Sequence, residues 1–256
     1  MKNFIIGLLI ITVNACSHMQ KNSQEHLLAS TLWVQNAGES KALYYQAYNI
    51  AKLRFDQDLK KNRSKKRRAI VVDADETVID NSPYQALNYL NNSGFTKESW
   101  DLWVNKANAA ATPGSVEFLK YAASKGATVF YITNRSHSLK DSTFKNLKEL
   151  GFPIKFENLL MKTTTSSKKA RRAKVLLDHR IVLLIGDNLI DFSEMFEHLP
   201  TDQRISTVKR QQARFGKDFI MLPNPMYGDW EKAIYKYDRK LNSKQQSNMR
   251  REALRP

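Results

Sequence analysis

The sequence predicts an α/β fold in which helices cover both faces of a mostly parallel sheet. Three short, continuously apolar runs, at 69–72, 127–132 and 181–185, are typical of strands buried on both faces. Segments with helical apolar spacing separate these runs, as the crossover connections between parallel strands require. Acidic residues directly follow the first and third runs. They therefore lie at the carboxyl ends of strands, where open α/β sheets place their ligands.

The amino terminus predicts export. Residues 4–13 are ten residues dominated by Ile and Leu, behind a short charged start. Such a stretch is too short to span about 30 Å of hydrocarbon as a helix, so we expect a signal peptide over residues 1–15. Residues 13–16 also resemble a bacterial lipobox that ends in Cys16, the single cysteine of the chain. Cleavage there would leave Cys16 as a lipidated first residue. The alternative is an unlipidated peptide with an incidental cysteine.

The segment before the first strand is predicted to be a tether followed by helix. Residues 16–26 are polar and are expected to form a flexible tether. The apolar spacing over 27–59 is helical, and tyrosines 44, 45 and 48 within it are expected to pack in the core or against a cap. Helical spacing returns over 81–112. Thr112-Pro113-Gly114 then predicts a new helix, with Thr112 as its N-cap and Pro113 in its first turn.

The second half of the chain predicts two crossover helices and a last strand. Helical patterns at 138–150 and 168–177 would connect the strands, and residues 218–222 have the pattern of a short strand. No repeat or long linker is visible, so we expect one domain over 27–238. The basic tail at 239–256 is expected to be partly disordered.

Carboxylates gather where two of the strands end. Asp73 and Asp75 follow the first apolar run, and Asp187 and Asp191 follow the third. Residues two apart at a strand end project to the same side, so Asp73 and Asp75 can address one centre. At about 4 Å and an effective dielectric of about 20, each like-charged pair costs on the order of 4 kcal/mol unless a cation is present. A hard divalent ion, Mg²⁺ above all, would remove that cost and attract phosphate.

Two further segments between these acids supply groups for phosphate. The second apolar run ends in Thr133-Asn134-Arg135, which offers a hydroxyl and backbone N–H groups. Lys168, or its neighbour Lys169, begins a helical segment just before the third run. A single Asp after a strand is more often a turn former or a helix N-cap than a catalytic group. The order Asp, Thr, Lys, Asp on successive elements nevertheless predicts phosphoryl transfer.

These residues resemble the four loops of the haloacid dehalogenase (HAD) superfamily: D-x-D-x-T, a Ser or Thr, a Lys and an acidic pair. More closely, the chain is similar to the class C non-specific acid phosphatases, which are bacterial outer-membrane lipoprotein phosphatases. The stretches that carry this resemblance are 70–84, 131–135 and 186–192, with outlying matches at 42–48 and 223–230. The resemblance implies a HAD-like (Rossmann-type) fold with N-terminal helices and a small helical cap around 81–112.

The resemblance also implies catalytic roles. The chain would be an acid phosphatase that hydrolyses phosphomonoesters through an aspartyl-phosphate intermediate. Asp73 would be the nucleophile, and Asp75 the general acid that later activates water as a base. Thr133 and Lys168 would hold the phosphoryl oxygens, with Asn134 and Arg135 in support.

A metal site is implied in the same way. The side chains of Asp73 and Asp187 and the backbone carbonyl of Asp75 would hold Mg²⁺, with Asp191 in support. Phosphoester cleavage, rather than dehalogenation, is favoured by Asp75, because the leaving oxygen needs a second acid.

Two aromatic residues suggest the leaving group. The resemblance places Trp100 and Tyr227 where the family stacks a nucleoside base or an aromatic ring, an arrangement worth about 1–3 kcal/mol per base. Ordinary burial is the alternative, and burial is what we expect for Trp103 and Trp230. Stacking would make nucleoside 5′-monophosphates and aryl phosphates good substrates, because it recognises a π-face rather than a hydrogen-bond pattern.

The chain is strongly basic. It has 41 Lys and Arg against 25 Asp and Glu, or +15 (40 minus 25) once Lys2 is removed with the signal peptide. Dense basic runs lie at 60–68 and 239–255. Such runs suit nucleic acid or an anionic membrane, and the first resembles a nuclear localisation signal, which an export peptide contradicts. Because Asn62 and Ser64 interrupt the first run just before a buried strand, we expect a solvated loop and no nucleic-acid partner.

Three function classes fit these patterns: a metal-dependent phosphomonoesterase, a surface lipoprotein that binds haem or nucleotides, and a receiver-type phosphorelay domain. A receiver takes its phosphorylated Asp from a middle strand and has no cap insertion after the first strand. A binding role alone would not need Asp75, Thr133 and a Lys together. We therefore expect an enzyme, lipid-anchored at Cys16 in the bacterial cell envelope, at the outer membrane. The resemblance further suggests a homodimer through the amino-terminal helices.

Overall fold

The structure, a computed structural model, describes residues 23–61 and 64–256. The expected signal peptide at 1–15, the lipidation site Cys16 and most of the tether at 16–26 lie outside the described residues. Within the described part of the chain, no helix is both long and apolar enough to cross a bilayer.

A sheet of five parallel strands forms the centre of the described chain, in the order β3-β2-β1-β4-β5. The strands are β1 (Arg67–Val72), β2 (Thr128–Ser136), β3 (Leu159–Lys162), β4 (His179–Gly186) and β5 (Phe219–Met221). The expected α/β class and parallel sheet are therefore confirmed, as is the short last strand. Edge strand β3 is not predicted from the sequence, because four residues give too short a pattern to separate a strand from a loop.

Strand β1 lies in the middle of the sheet and packs on both faces. Ile70 and Val72 face one core cluster, whereas Ala69 and Val71 face the other, as the pleat of a strand requires. Val72 pairs with Tyr131 of β2 on one side and with Ile185 of β4 on the other. Because the three strands run in the same direction, the residues that follow them meet at one edge of the sheet.

Helices cover both faces of this sheet. They are α1 (Glu25–Asn36), α2 (Gly38–Lys61), α3 (Ser82–Leu90), α4 (Lys97–Asn105), α5 (Ser115–Ser124), α6 (Lys140–Glu149), α7 (Lys169–Asp178), α8 (Thr201–Arg210), α9 (Asp229–Ile234) and α10 (Ser243–Glu252). Residues from α2, α5 and α6 line the cluster that contains Ile70, and residues from α7 and α8 contribute to the other. The helical pattern over 27–59 is divided into α1 and α2 at Ala37, whose backbone is extended.

Helix α2 holds the loop that follows β1. The hydroxyl of Tyr44 donates to the carbonyl of Glu76 at 2.8 Å, and that of Tyr48 donates to the carbonyl of Thr77 at 2.7 Å. Both tyrosines are buried, as expected, whereas Tyr45 is 53% exposed and the expectation of packing for it is wrong. A buried carbonyl left without such a donor costs about 1–3 kcal/mol. Helix α2 thus fixes the backbone that directly follows Asp75.

The insertion at 81–112 is helical, as expected, and consists of α3 and α4. The helix that follows it begins differently from the prediction. Helix α5 starts at Ser115, and its N-cap is Gly114 in the left-handed region at φ 79°, a conformation that neither Thr nor Pro favours. Thr112 instead donates its hydroxyl to the carbonyl of Thr77 at 2.5 Å. It therefore ties the return of the insertion to the loop after β1.

The described residues of the two basic runs include more helix and strand than the sequence predicts. Lys60 and Lys61 end α2, and Arg67 and Arg68 begin β1, so both ends of the first run belong to regular elements. In the tail, α10 begins with a capping box at Asn242, although partial disorder is expected there. Arg250 of α10 contacts the hydroxyl of Tyr235, which docks this helix against the end of α9.

Candidate active site

Three carboxyl groups come together beyond the carboxyl ends of β1 and β4. Asp73, Asp187 and Asp191 each place one carboxylate oxygen within 4.8 Å of the others. Asp73 follows β1 directly, and its backbone N–H donates to the carbonyl of Ile185 in β4 at 2.9 Å. Asp187 follows β4, and Asp191 ends the short 3₁₀ turn Leu189–Asp191 behind it. The structure thus brings together the acids that the sequence places on distant strands.

Gly186 makes this gathering possible. A Cβ atom at this position would lie 2.3 Å from Oδ2 of Asp191 and 2.6 Å from its Cβ. The same Asp191 oxygen accepts the backbone N–H of Asn188 at 2.9 Å, which folds the turn back towards β4. A larger residue than glycine would therefore push Asp191 away from Asp73.

Lys168 is the lysine that reaches the acids. Its Nζ contacts Oδ1 of Asp73 and lies 2.7 Å from Oδ1 of Asp191. Its side chain is 3% exposed, whereas that of Lys169 is 68% exposed and pairs with Glu194 at 3.2 Å. The sequence leaves both lysines open as the phosphate ligand, and of the two only Lys168 contacts the gathered acids.

The electrostatics of the cluster indicate a shortage of positive charge. Burial raises the pKa of Asp73 to about 7, aided by Asp191 and Asp75 and opposed by Lys168. Burial also raises the pKa of Asp187 well above its usual value, with further contributions from Asp191 and Asp73. Burial alone would lower the pKa of Lys168, but Asp191 and Asp73 raise it. Lys168 therefore stays charged and only partly compensates the three acids.

This donor set fits a hard divalent cation. Closely spaced carboxylate oxygens are the ligands that Mg²⁺ and Ca²⁺ prefer, and a second cation beside Lys168 would relieve the repulsion that raises both pKa values. The carboxylate of Asp75 is not a member of the cluster. Its expected contribution to the metal is through the backbone carbonyl, so the side-chain arrangement leaves that prediction open.

Asp75 lies beside the cluster and faces Thr133, the other side chain that is expected to bind phosphate. Its Oδ2 is 3.4 Å from the hydroxyl of Thr133, whose backbone lies in β2. Its Oδ1 accepts from Nε of Arg135 and from Nδ2 of Asn81, both at 2.9 Å. Arg135 is expected to support the site and does contact Asp75. No role for Asn81 is predicted, because an asparagine after a strand carries no signal of its own.

Asn134 takes part in a second set of hydrogen bonds near the site, made by Arg171. Its Oδ1 accepts from Nη2 of Arg171 at 2.7 Å, and Nη1 of the same arginine donates to the carbonyl of Thr133 at 2.5 Å. Arg171 lies in α7, which begins next to Lys168. The arginine thus ties the segment that carries Thr133 to the helix that carries Lys168.

Tyr227 closes the opposite side of the loop after β1. Its hydroxyl donates to Oε2 of Glu76, and Oε1 of Glu76 accepts the backbone N–H of Asn81 at 2.9 Å. Glu76 has a left-handed backbone at φ 53° and is fully buried. Burial raises its pKa well above the usual value, with Asp75 and Asp187 adding to the effect. Asn224 links the same region to the acids, since its Nδ2 donates to Oδ2 of Asp187 at 2.9 Å.

The three tryptophans considered in the sequence differ in burial: Trp100 and Trp103 are half-buried, and Trp230 is exposed. Trp100 is half-buried, with its ring 5.1 Å from Tyr84 and 5.6 Å from the guanidinium carbon of Arg135. Trp103 is half-buried on the main core, and its Nε1 donates to Oδ1 of Asn81 at 2.8 Å. Trp230, the second residue of α9, is 42% exposed, so the expectation of burial is wrong for it. Trp100 thus lies next to Arg135, which contacts Asp75 of the loop after β1, whereas Tyr227 contacts that loop directly through Glu76.

Comparisons with known proteins agree with this geometry. Residues 10–230 match the family model described as HAD superfamily, subfamily IIIB (acid phosphatase). The solved structure of the class C acid phosphatase from Bacillus anthracis aligns with a TM-score of 0.89 at 44% identity, covering 92% of this chain and 99% of that one. The structure of the class C acid phosphatase from Bacillus anthracis with tungstate bound aligns with a TM-score of 0.88 at 44% identity, covering 91% and 98%.

Curated relatives are more distant. A stem 31 kDa glycoprotein of Glycine max is 30% identical over 160 residues, which are 60% of this chain and 56% of that protein. Acid phosphatase 1 of Solanum lycopersicum is 29% identical over 164 residues, which are 61% of this chain and 57% of that protein. The chain therefore spans little more than half the length of these relatives.

The raised pKa of Asp73 predicts how the metal-free protein responds to pH. The pKa is about 7 in the folded state against 3.8 ordinarily. The folded protein therefore binds this proton more tightly than the unfolded chain does. The free energy of unfolding should consequently fall as pH rises from about 4 to about 7, and level off above that.

Thermal unfolding in chelator across this range, for the wild type and Asp73→Asn, measures the effect. The variant should lose less stability with rising pH, and Mg²⁺ should raise the melting temperature of the wild type more at about pH 7.5 than at about pH 5, where a proton competes with the metal. Identical pH slopes for the two proteins would show that Asp73 is ionised without metal.

Proposed function

The chain belongs to subfamily IIIB of the HAD superfamily, the acid phosphatases, and on that premise we propose that it hydrolyses phosphomonoesters through an aspartyl-phosphate on Asp73. The resemblance to class C acid phosphatases is confirmed by the family match and by the structural likeness. One observation carries the proposal: a single edge of the sheet holds Asp73 against Lys168 and Asp75 against Thr133. The helical insertion after β1 also argues against a receiver-type domain.

The first half of the reaction transfers the phosphoryl group to the protein. A carboxylate oxygen of Asp73 attacks phosphorus, and the bond from phosphorus to the leaving oxygen breaks. Asp75 gives its proton to that oxygen, so that an alcohol departs rather than an alkoxide. The Nζ of Lys168 and the hydroxyl of Thr133 stabilise the charge on the equatorial phosphoryl oxygens.

The second half regenerates Asp73. Asp75, now a carboxylate, takes a proton from a water molecule whose oxygen bonds to phosphorus. The bond between phosphorus and Asp73 breaks, and inorganic phosphate leaves. The same two side chains thus serve both halves, and Lys168 enters the reaction charged because Asp191 and Asp73 raise its pKa in the resting site.

We propose Mg²⁺ as the cation, held by Asp73, Asp187 and the backbone carbonyl of Asp75. When bound, it would neutralise the gathered acids and polarise a phosphoryl oxygen. Asp191 supports this arrangement by pairing with Lys168 at 2.7 Å. The shortage of positive charge around Asp73 and Asp187 is what supports the assignment of a divalent ion.

Nucleoside 5′-monophosphates and aryl phosphates are the proposed substrates, which makes the activity that of an acid phosphatase and 5′-nucleotidase. Trp100 and Tyr227 support this because each is half-buried and can offer part of its ring to a ligand, Trp100 beside Arg135, which bonds to Asp75, and Tyr227 beside Glu76. Stacking on such rings is worth about 1–3 kcal/mol per base and accepts many ring types.

Two proposals about partners have different support. A lipid anchor at Cys16, holding the enzyme to the outer membrane, rests on the sequence alone; Cys16→Ser protein that stays with membranes at high salt would rule it out. A homodimer through the amino-terminal helices is supported by exposed apolar side chains on α2, including Tyr45 and Leu53. Sedimentation velocity that finds only monomers at micromolar concentration would exclude it.

Asp73→Asn should abolish phosphate release from p-nitrophenyl phosphate, because an amide oxygen cannot act as the nucleophile. Chelator should also abolish release by the wild type, and added Mg²⁺ should restore it. Asp80→Asn is a matched control in the same loop: Oδ1 of Asp80 accepts the backbone N–H of Ser82 at 2.8 Å, a bond that asparagine can keep. Wild-type turnover by Asp73→Asn would remove this residue from the mechanism.

Trp100→Ala should reduce kcat/KM for nucleoside 5′-monophosphates by about tenfold or more while changing small alkyl phosphates much less, since only the former lose a stacking partner. Trp100→Phe keeps a ring and should retain most of the preference. Steady-state kinetics on both substrate classes measures this. An equal loss on both classes would mean that Trp100 only packs against Tyr84.

A further inference from the structure

Arg135 is a buried cation to which the mechanism above gives no task. Its side chain is 1% exposed. Its Nε and Nη2 both reach Oδ1 of Asp75, at 2.9 Å and 2.8 Å, and its Nη1 donates to the hydroxyl of Thr143 at 3.2 Å. A buried guanidinium is costly unless it is paired, and its planar fork of donors fixes the orientation of the partner. Arg135 therefore restricts how the carboxyl group of Asp75 can turn.

Asn81 restricts the same carboxyl group from another side. Its Nδ2 donates to Oδ1 of Asp75 at 2.9 Å, and it is fully buried. Its Oδ1 accepts from Nε1 of Trp103 at 2.8 Å and from Nη2 of Arg135 at 3.3 Å. Because both ends of the amide are engaged by donors and acceptors of fixed type, the amide cannot flip without losing these bonds.

The two oxygens of Asp75 are consequently unequal. Oδ1 accepts hydrogen bonds from Nε of Arg135 and Nδ2 of Asn81, and Nη2 of Arg135 lies 2.8 Å from the same oxygen as an ion-pair contact. Oδ2 faces the hydroxyl of Thr133 at 3.4 Å, on the side where the phosphoryl group would be held. An oxygen whose two lone pairs already accept hydrogen bonds, and which lies against a guanidinium cation, has no room for a proton of its own, so the proton of the acid form belongs on Oδ2.

We propose that Arg135 and Asn81 are positioning residues that occupy Oδ1 of Asp75 and so reserve Oδ2 for proton transfer. The inference rests on the proposed function, in which Asp75 is the general acid and base. As the bond from phosphorus to the leaving oxygen breaks, the proton on Oδ2 passes to that oxygen. In the second half, Oδ2 takes one proton from the attacking water, which returns Asp75 to its starting form.

The same pair connects the acid to the helical insertion. Trp100 and Trp103 both lie on α4; the first ring is 5.6 Å from the guanidinium carbon of Arg135, and the second donates to Asn81. A ligand ring stacked on Trp100 would therefore lie against the side chain that packs on Arg135, and Arg135 orients Asp75. Binding of the leaving group and its protonation are in this way coupled through Arg135.

The test compares leaving groups. The kcat/KM value covers the steps up to formation of the aspartyl-phosphate, and an alkyl phosphate depends on the acid more than p-nitrophenyl phosphate does, because p-nitrophenolate leaves readily without a proton. Arg135→Gln should lower kcat/KM for the alkyl ester by about a hundredfold, and for the nitrophenyl ester by much less. The loss should lie mainly in kcat. Arg135→Lys keeps the charge but not the planar fork of donors, so its kcat/KM for the alkyl ester should lie between those of the wild type and Arg135→Gln.

A double-mutant cycle separates positioning from general stability. In an Asp75→Asn background, Arg135→Gln should cost little more, because the group it positions is gone. Arg204→Gln is the matched control: Arg204 is buried in α8 and donates to the carbonyl of Phe196 at 3.2 Å, so its loss should lower the melting temperature without any dependence on leaving group. If Arg135→Gln does not fold, Arg135→Lys and Asn81→Ser carry the same comparison.

The outcomes distinguish the inference from the proposed function. An active wild type whose Arg135 and Asn81 variants lose equally on both esters, or whose losses add fully to that of Asp75→Asn, overturns the positioning role alone. A wild type that releases no phosphate from either ester with Mg²⁺ overturns the proposed function itself.

Discussion

Repulsion among acids held at one edge of a sheet is the constraint on which the rest of the site depends. Asp73, Asp187 and Asp191 lie within 4.8 Å of one another at their carboxylate oxygens. Their backbone positions are fixed, because β1 is paired on both sides. Asp191 packs so closely on Gly186 that no side chain would fit between them. Lys168 offsets part of this charge. The negative charge that Lys168 does not offset favours binding of a cation, and the bound cation would in turn attract phosphate.

The surrounding elements act on the loop between β1 and the insertion. Tyr44 and Tyr48 of α2 and Thr112 at the return of the insertion fix its carbonyls from two different segments. Each such bond contributes about 1 kcal/mol net, and more if its loss leaves a buried carbonyl without a donor. The left-handed backbone of Glu76 persists because these contacts hold it. Arg135 and Asn81 act on the same loop through a side chain, because they orient the carboxyl group of Asp75.

Sequence reasoning finds those parts of the fold and site that have a local pattern. The strands at 69–72 and 181–185 are recognisable because apolar β-branched runs have few other uses, and the acids that follow them are recognisable by position. Lys168 cannot be separated from Lys169, because a shift of one residue at a helix start changes burial completely without changing composition. Asn81 and Glu76 gain part of their roles from distant residues, Trp103 and Tyr227, which the local sequence does not indicate. The start of α5 is missed because a left-handed Gly114 outweighs the capping signal of Thr112.

A crystal structure grown with Mg²⁺ and tungstate, a tetrahedral oxyanion like phosphate, tests the central claim most directly. The account predicts a cation bonded to oxygens of both Asp73 and Asp187. It also predicts that the oxyanion lies between Asp73, the Nζ of Lys168 and the hydroxyl of Thr133. A cation bound elsewhere, or an oxyanion that avoids Asp73 and Lys168 while both sites are saturated, would contradict it.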